Sequence, residues 1–481
     1  MILIIAAFIL LVISITLTRK LKLGNSTKKP LNLPPGSYGW PVLGETLDFL
    51  GAGVDGAPEK FVTDRIEKYK SNLVFKTSIL GEKVAVLCGP AGNKFLFSNE
   101  IKFVTVWWPG SVKKLMGPCL ATMGGEEGKQ MRKILSYFVS PDAFTKRYIK
   151  TMDLVSRQHI NTYWQGKEVV KVFPTIKLYT FELACRLFMS LEDQEQISKL
   201  AALFNIFLKG VISIPVNFPG TRFYKAMKAT YAIKNLLTTI VRQRRAVLEQ
   251  KKNSIPTQDL LSHLLVSPDE NGKFMSESVI VNNILLLLFA GHDTSSVLIT
   301  MLMKNLAELP HVYEKVLKEQ NEIASSKEEG EFLQWEDIQK MKYSWNVVCE
   351  TTRISPPVFG AFREAITDIN YAGYDIPKGW KMYWSPSFTH KDESLFSDNK
   401  RFDPSRFEGA GPTTPFSYVP FGGGPRMCLG KEFARLEVLI FLYNVVRKFR
   451  WELQIPDEKI EYDPMPTPVE GLPIRIHSHS T

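Results

Sequence analysis

Residues Pro420 to Gly430 read PFGGGPRMCLG, and the run KEFARLEVLIFLYNVV, residues 431–446, follows at once with its apolar positions at helical spacing. Three glycines and a proline thus bring one cysteine, Cys428, to the start of a helix. Glycine-rich turns in this position commonly bind phosphate through free backbone N–H groups. The spacing here excludes that use. Five residues separate Gly424 from Gly430 where a phosphate loop has four, and Lys431 is followed by Glu432 in place of a hydroxyl residue. The turn serves something other than phosphate.

Outward from this turn, the 481 residues are 44% hydrophobic and 23% charged, an ordinary globular balance. No long Gly/Ser linker or charge block divides the chain after its first forty residues, which predicts one large domain over residues 37–481. The opening MILIIAAFILLVISITLT carries no charge, Leu21 and Leu23 extend it, and Arg19, Lys20, Lys22, Lys28 and Lys29 follow with no acid in the first thirty residues. A cleaved signal peptide would carry its positive charge before the apolar run and small residues at a cleavage site after it. Residues 1–23 therefore read as an uncleaved transmembrane anchor, with the basic flank and everything beyond it on the cytosolic side. Residues 24–36, basic and then proline-rich (PLNLPPG), read as a stiff hinge. The net charge of +11 includes those five cations. What remains is too diffuse for nucleic acid and suits anionic lipid or an acidic partner.

Cys88, Cys119, Cys185, Cys349 and Cys428 are scattered and form no C-x-x-C pair, so neither a disulfide framework nor a zinc site is expected. The first four read as small buried hydrophobes. Helical periodicity dominates from about residue 141 to 350, whereas LVFKTSILGEKVAVLCGP reads as a hairpin around Gly81 and INYAGYDIPKGWKMYW as short strands. The expected class is mainly α with small β-sheets. One helix, about residues 276–309, is apolar on every side from Ile284 to Ala290, which predicts burial through the middle of the domain. A second membrane span is the alternative, but Asn282, Asn283, His292 and Asp293 shorten the apolar stretch below spanning length. Asp293 and Thr294 inside that helix either bond backbone carbonyls or do chemistry.

Taken together, the motifs resemble one family. Phe421, Gly424, Arg426, Cys428, Gly430 and Ala434 match each fixed position of the haem-binding signature of the cytochrome P450 haem-thiolate monooxygenases. Glu350-Thr351-Thr352-Arg353 matches the family's E-x-x-R, Pro404-Ser405-Arg406-Phe407 its P-x-R-F, and Ala290-Gly291-His292-Asp293-Thr294 its A-G-x-D-T. The resemblance covers essentially the whole chain. It implies haem b as cofactor, with Cys428 as the axial ligand of the iron, a thiolate whose electron donation favours O–O cleavage. Backbone N–H groups at the helix start would tune the sulfur. The resemblance further implies that Phe421 belongs to the cofactor-binding turn and that Arg426, Arg132 and Arg363 face the haem carboxylates. The helix motif W-x-x-x-R departs here, reading Gly128 to Arg132 with glycine for tryptophan. Glu350, Arg353 and Arg406 are implied to form a structural ion-pair network, and Asp293 and Thr294 a catalytic proton relay.

Stretches such as LNLPPGSYGWPVLGETLDFL, KMKYSWNVVCE and FREAITD look like the plant triterpenoid oxidases, which include the β-amyrin oxidases that act on the C-28 methyl group. A taxane-type diterpenoid or other terpenoid or sterol hydroxylase is the alternative. An apolar polycyclic substrate needs a large apolar pocket, and Trp107, Trp108, Ala290, Val358 and Phe359 are its expected lining. The segment SPPVFGAFREA differs from the methyl-oxidising members just before Gly360. Two other classes remain open at this point: a haem-thiolate isomerase, which has no use for a proton relay, and a membrane-tethered binding protein, which has no use for Cys428 either. The resemblance places the protein as a single-pass protein of the endoplasmic reticulum membrane. Its electrons would come from the NADPH-cytochrome P450 reductase, docked on the thiolate side through Lys431 and Arg435.

Overall fold

Leu80 and Gly81, both at positive φ (55° and 79°), form the tight turn expected around Gly81 and join β1 (Val74–Ile79) to β2 (Glu82–Leu87) as an antiparallel hairpin. The computed structural model in which this hairpin sits describes residues 31–136, 138, 148–250, 259–268, 272–409 and 411–479. The expected anchor, residues 1–23, and the basic half of the hinge lie outside the described residues. Three further strands, β3 (Val104–Val106), β4 (Ala361–Ala365) and β5 (Lys381–Trp384), complete a five-stranded sheet in the order β1-β2-β5-β4-β3. Its β2–β5 pair is parallel. Ile369–Tyr371 and Tyr374–Ile376 form a second small hairpin across Ala372 and Gly373, again both at positive φ. Val169–Lys171, Pro473–Ser478 and Phe449–Leu453 make a three-stranded sheet near the end of the chain.

The remainder is largely helical. At its centre runs a helix of 32 residues, Glu277–Glu308, capped by the Ser276 hydroxyl. It is long and apolar enough to cross a membrane, yet most of it is buried inside the protein. A helix hydrophobic all round has no polar face to turn to water. The helices Val172–Met189, Arg222–Gln250 and Lys431–Val446 pack around it, and the largest hydrophobic cluster joins all four. It is a core helix, as its burial shows; the apolar stretch by itself is long enough to span a membrane.

The proline-rich end of the hinge is docked on the sheet. The Lys76 amide donates to Pro35 O at 2.8 Å and Lys76 Nζ to Pro34 O at 2.7 Å. Asn32 exchanges backbone and side-chain bonds with Asp375 and Gly373. Residues 32–35 therefore lie against the five-stranded sheet and the second small hairpin.

Candidate active site

The turn before Lys431–Val446 is closed by two backbone bonds, Cys428 N to Phe421 O at 2.8 Å and Met427 N to Gly424 O at 3.0 Å. Gly422 and Gly424 lie at positive φ (70° and 64°). A Cβ on Gly423 would stand 2.4 Å from the Phe97 ring, and one on Gly424 2.2 Å from Phe97 O. Close packing on the helix Gly89–Ser98 thus demands these glycines independently of any approach to a flat ligand. Four cysteines are buried, and Cys428 is open. Yet protein surrounds it closely enough that desolvation raises its thiol pKa, opposed by the Gly430 amide, Arg132 and Lys431. A group both surrounded and open lines an interior space.

The central helix, which packs on Lys431–Val446, has open positions of its own. Leu287, Ala290 and Thr294, spaced three and four apart, share one stripe: Ala290 is exposed and the other two are partly so, as are the adjoining Phe289 and Gly291. Thr294 Oγ1 donates to Ala290 O at 2.7 Å, which leaves its lone pairs free to accept. Asp293 does not share this stripe. Its carboxylate pairs with Lys177 Nζ at 3.0 Å, and Lys177 is the more open partner. Consecutive helical residues do not face each other, so Asp293 is turned away from the stripe of Thr294 and toward Lys177. His292 lies between the rings of Phe181 and Phe204, bonds Leu288 O through Nδ1 at 3.0 Å, and is held neutral by burial, its pKa lowered to about 4. A Cβ on Gly291 would stand 3.2 Å from the Phe188 ring, a tight contact that the ring would have to yield to.

The three charges of E-x-x-R and P-x-R-F come together. Glu350 and Arg353 are fully buried and paired through two bonds of 2.7 and 2.8 Å. Glu350 also accepts the Asp403 amide at 2.9 Å, and Arg406 Nε is 3.6 Å away without hydrogen-bond geometry. Arg353 donates onward to the carbonyls of His390, Asn399 and Arg401. The pair therefore pins the segment that leads into the thiol turn.

The three arginines assigned to haem carboxylates cluster. Arg426 feels the charges of both Arg363 and Arg132, and of the Glu100 carboxylate, which is bonded to Arg363 Nε at 2.7 Å. Arg426 donates to Met123 O at 2.9 Å and Leu120 O at 3.2 Å; Arg132 donates to Met427 O at 2.5 Å. Partly buried cations in excess of their acids suit a ligand carrying carboxylates. The glycine at the family's tryptophan position is explained: a Cβ on Gly128 would lie 2.7 Å from Met123 O and 3.1 Å from Arg426 Nη1, so no side chain fits. With a thiol opened to an interior space, an amide on its sulfur and this cation surplus, the residues present fit haem b.

The expected substrate lining divides. Ala290 and Val358 are exposed. Trp108 is partly buried and donates to Ala121 O at 2.9 Å. Trp107 is buried against Phe362 with Lys381 over its ring, and Phe359 packs on Phe49 and Tyr462. Phe421 contributes the carbonyl that closes the turn. Sequence reading missed Lys177, Glu100 and Glu437. The last is wholly buried in the helix Lys431–Val446, neither carboxylate oxygen has a partner of ordinary geometry, Ser295 is its nearest polar neighbour, and burial pushes its pKa up to about 8. An acid inside the run RLEVLIFL was the available signal.

Comparison with known proteins agrees with this geometry. The cytochrome P450 family profile matches residues 34–472. A beta-amyrin 28-monooxygenase of Saponaria officinalis is 54% identical over 456 residues, covering 95% of this chain and 93% of that protein. One of Vitis vinifera is 54% identical over 448 residues, 93% of this chain and 92% of that protein. Among solved structures, a retinoic acid bound cyanobacterial CYP120A1 superposes with a TM-score of 0.84 at 34% identity, covering 94% of this chain and all of that one. From the thiol turn to the buried ion pair, and along nearly its whole length, this chain belongs to the cytochrome P450 family.

Proposed function

We propose that the protein oxidises a pentacyclic triterpene of the β-amyrin type at the C-28 methyl carbon. The observation that carries the reading is the 54% identity, over 95% of the chain, to an enzyme named for that reaction. The monooxygenase class and haem b come with the family. When bound, haem supplies the iron at which dioxygen is activated; Cys428 would ligate it, and Arg426, Arg363 and Arg132 would meet its carboxylates. The chain's own residues do the rest. Thr294, its proton committed to Ala290 O, holds a hydrogen-bond acceptor at the open stripe. Asp293 and Lys177 supply a proton-carrying pair whose outer member is partly open to solvent. Apolar residues around Ala290 and Val358 exclude water from the methyl group that reacts.

An endoplasmic reticulum location belongs to the same reading. The described surface carries exposed apolar residues: Trp40 is 78% exposed, Leu43, Leu47 and Leu50 follow it, and Ile214 and Phe218 are similarly open. Gly53 touches Tyr462 O, and Arg222 pairs with Asp463, which draws these segments together. A lipid surface suits such a face. For the NADPH-cytochrome P450 reductase, exposed Lys431 is the better docking cation, because Arg435 is engaged by Glu432 at 2.9 Å.

The test is co-expression with that reductase and β-amyrin, followed by mass spectrometry and product NMR. Oxygen at C-28 is expected, as alcohol, aldehyde or acid. Oxidation at another carbon, or of a diterpene in preference, would overturn the reading.

A further inference from the structure

Seven residues before Ala290 on the same side of the central helix, about 10 Å along the axis, stands Asn283, where the open stripe has given way to buried core. Asn283 is completely buried. Its Oδ1 accepts the Leu120 amide at 3.0 Å, and its Nδ2 donates to Val279 O at 2.8 Å. Asn282 beside it donates to Pro118 O at 3.2 Å, and Gly117, at φ 73°, leaves no room for a Cβ against the Asn282 amide. The segment Gly117–Gly124 is thus gripped by the central helix at its near end. Within it, Thr122 Oγ1 donates to Gly117 O at 2.7 Å and accepts the Cys119 amide at 3.0 Å. From the far side, Trp108 donates to Ala121 O, and Arg426 to Met123 O and Leu120 O. Leu120, Ala121 and Met123 stay partly exposed although they pack on the main core.

We propose that Asn283 is a positioning residue for the oxidation: it clamps the strap Gly117–Gly124 along the open face of the central helix, fixing the wall against which the substrate lies. The strap crosses between the helix that carries Thr294 and the arginine two residues before Cys428. Because Gly128 admits no side chain, Met123 O and the Arg426 guanidinium fill that space directly. Without the Asn283 acceptor the Leu120 amide is left unsatisfied in a water-poor site, and the strap retains Asn282 alone as its side-chain tie to the central helix among the described residues. Arg426 has its Nε–H still available for a ligand carboxylate, so one side chain can touch both the strap and the cofactor.

The choice of substrate in the test rests on the triterpene reading; the clamp itself does not. The experiment compares Asn283→Leu with Asn283→Gln, which keeps an accepting oxygen and an amide donor without adding charge, in the full-length holoenzyme. Haem content and the reduced CO spectrum are measured first, then hydrogen–deuterium exchange of peptides spanning 117–124, then KM and kcat on β-amyrin. For Asn283→Leu, haem is retained, exchange in the strap rises about tenfold, and KM rises about tenfold with a smaller change in kcat, as expected for about 1.4 kcal/mol of lost binding. Asn283→Gln is less impaired than Asn283→Leu on both measures. Unchanged exchange in the leucine variant overturns the clamp, as does a glutamine variant equally impaired. Faster exchange with unchanged KM overturns the positioning role. If the leucine variant takes up no haem, Asn283→Ala carries the same comparison. If wild type leaves β-amyrin untouched, the substrate reading fails while strap exchange still decides the clamp.

Discussion

Replacing Glu350 by alanine strands a charge at the centre of the molecule. Arg353 is fully buried, and its guanidinium loses two bonds of 2.7 and 2.8 Å while keeping three neutral carbonyl partners. Removing one partner of such a pair costs about 3 to 5 kcal/mol, because the remaining charge is desolvated without compensation. The Asp403 amide loses its acceptor as well, at a cost of about 1 to 3 kcal/mol. These terms overlap, so the expected loss is on the order of 5 kcal/mol, a large share of what a domain possesses. The segment from His390 to Arg401 then loosens, and the thiol turn it leads to loses its grip on haem. The assay is haem per protein by reduced CO spectrum, together with denaturant midpoints, for Glu350→Ala, Arg353→Met and the double variant Glu350→Leu/Arg353→Met. Either single variant takes up little haem. The double variant, which leaves no unpaired charge, is less unstable than the sum of the singles, and turnover per bound haem is near normal. If the singles fold and bind haem normally, or the double variant costs at least the sum, the charge-stranding argument is wrong.

Further outcomes concern the site and its surroundings. Thr294→Val removes the accepting oxygen at the open stripe, so product falls about 10- to 100-fold while NADPH consumption continues and appears as hydrogen peroxide; an unchanged product yield contradicts the role given to Thr294. Asp293→Asn slows turnover about 100-fold and raises the solvent deuterium isotope effect, with haem content intact, and an unaltered isotope effect removes Asp293 from proton delivery. Burial raises the Glu437 pKa to about 8, above its unfolded value near 4.5. Stability supported by its protonated form is therefore complete below about pH 4.5 and is lost as pH rises through about 8, at about 1.4 kcal/mol per pH unit in between. Glu437→Gln, measured by melting temperature from pH 5 to 8.5, should gain on wild type as pH rises; a difference independent of pH refutes the assignment. Lys431→Glu raises the reductase KM and flattens its salt dependence, while Arg435→Glu does so less because Arg435 is already paired. Identical salt slopes for wild type and Lys431→Glu would exclude that docking cation.

Local pattern was enough for much of this protein. Cys428 behind its glycines, the helix 431–446, the Gly81 hairpin and the buried central helix each depend on residues within a few turns of one another, where spacing alone decides what faces what. Glu350 and Arg353 are three apart on one helix, and their pairing was legible for the same reason. Tertiary structure decided whatever joins distant segments: the parallel pairing of β2 with β5, Lys177 against Asp293, Glu100 among the arginines, and Asn283 on the Leu120 amide. It also decided why Gly128 stands where the family carries tryptophan, since the Arg426 side chain that fills the space is some three hundred residues away in the chain. Helical and strand periods constrain neighbours by covalent geometry. Contacts across the chain depend on how whole elements pack, and no period along the sequence encodes that.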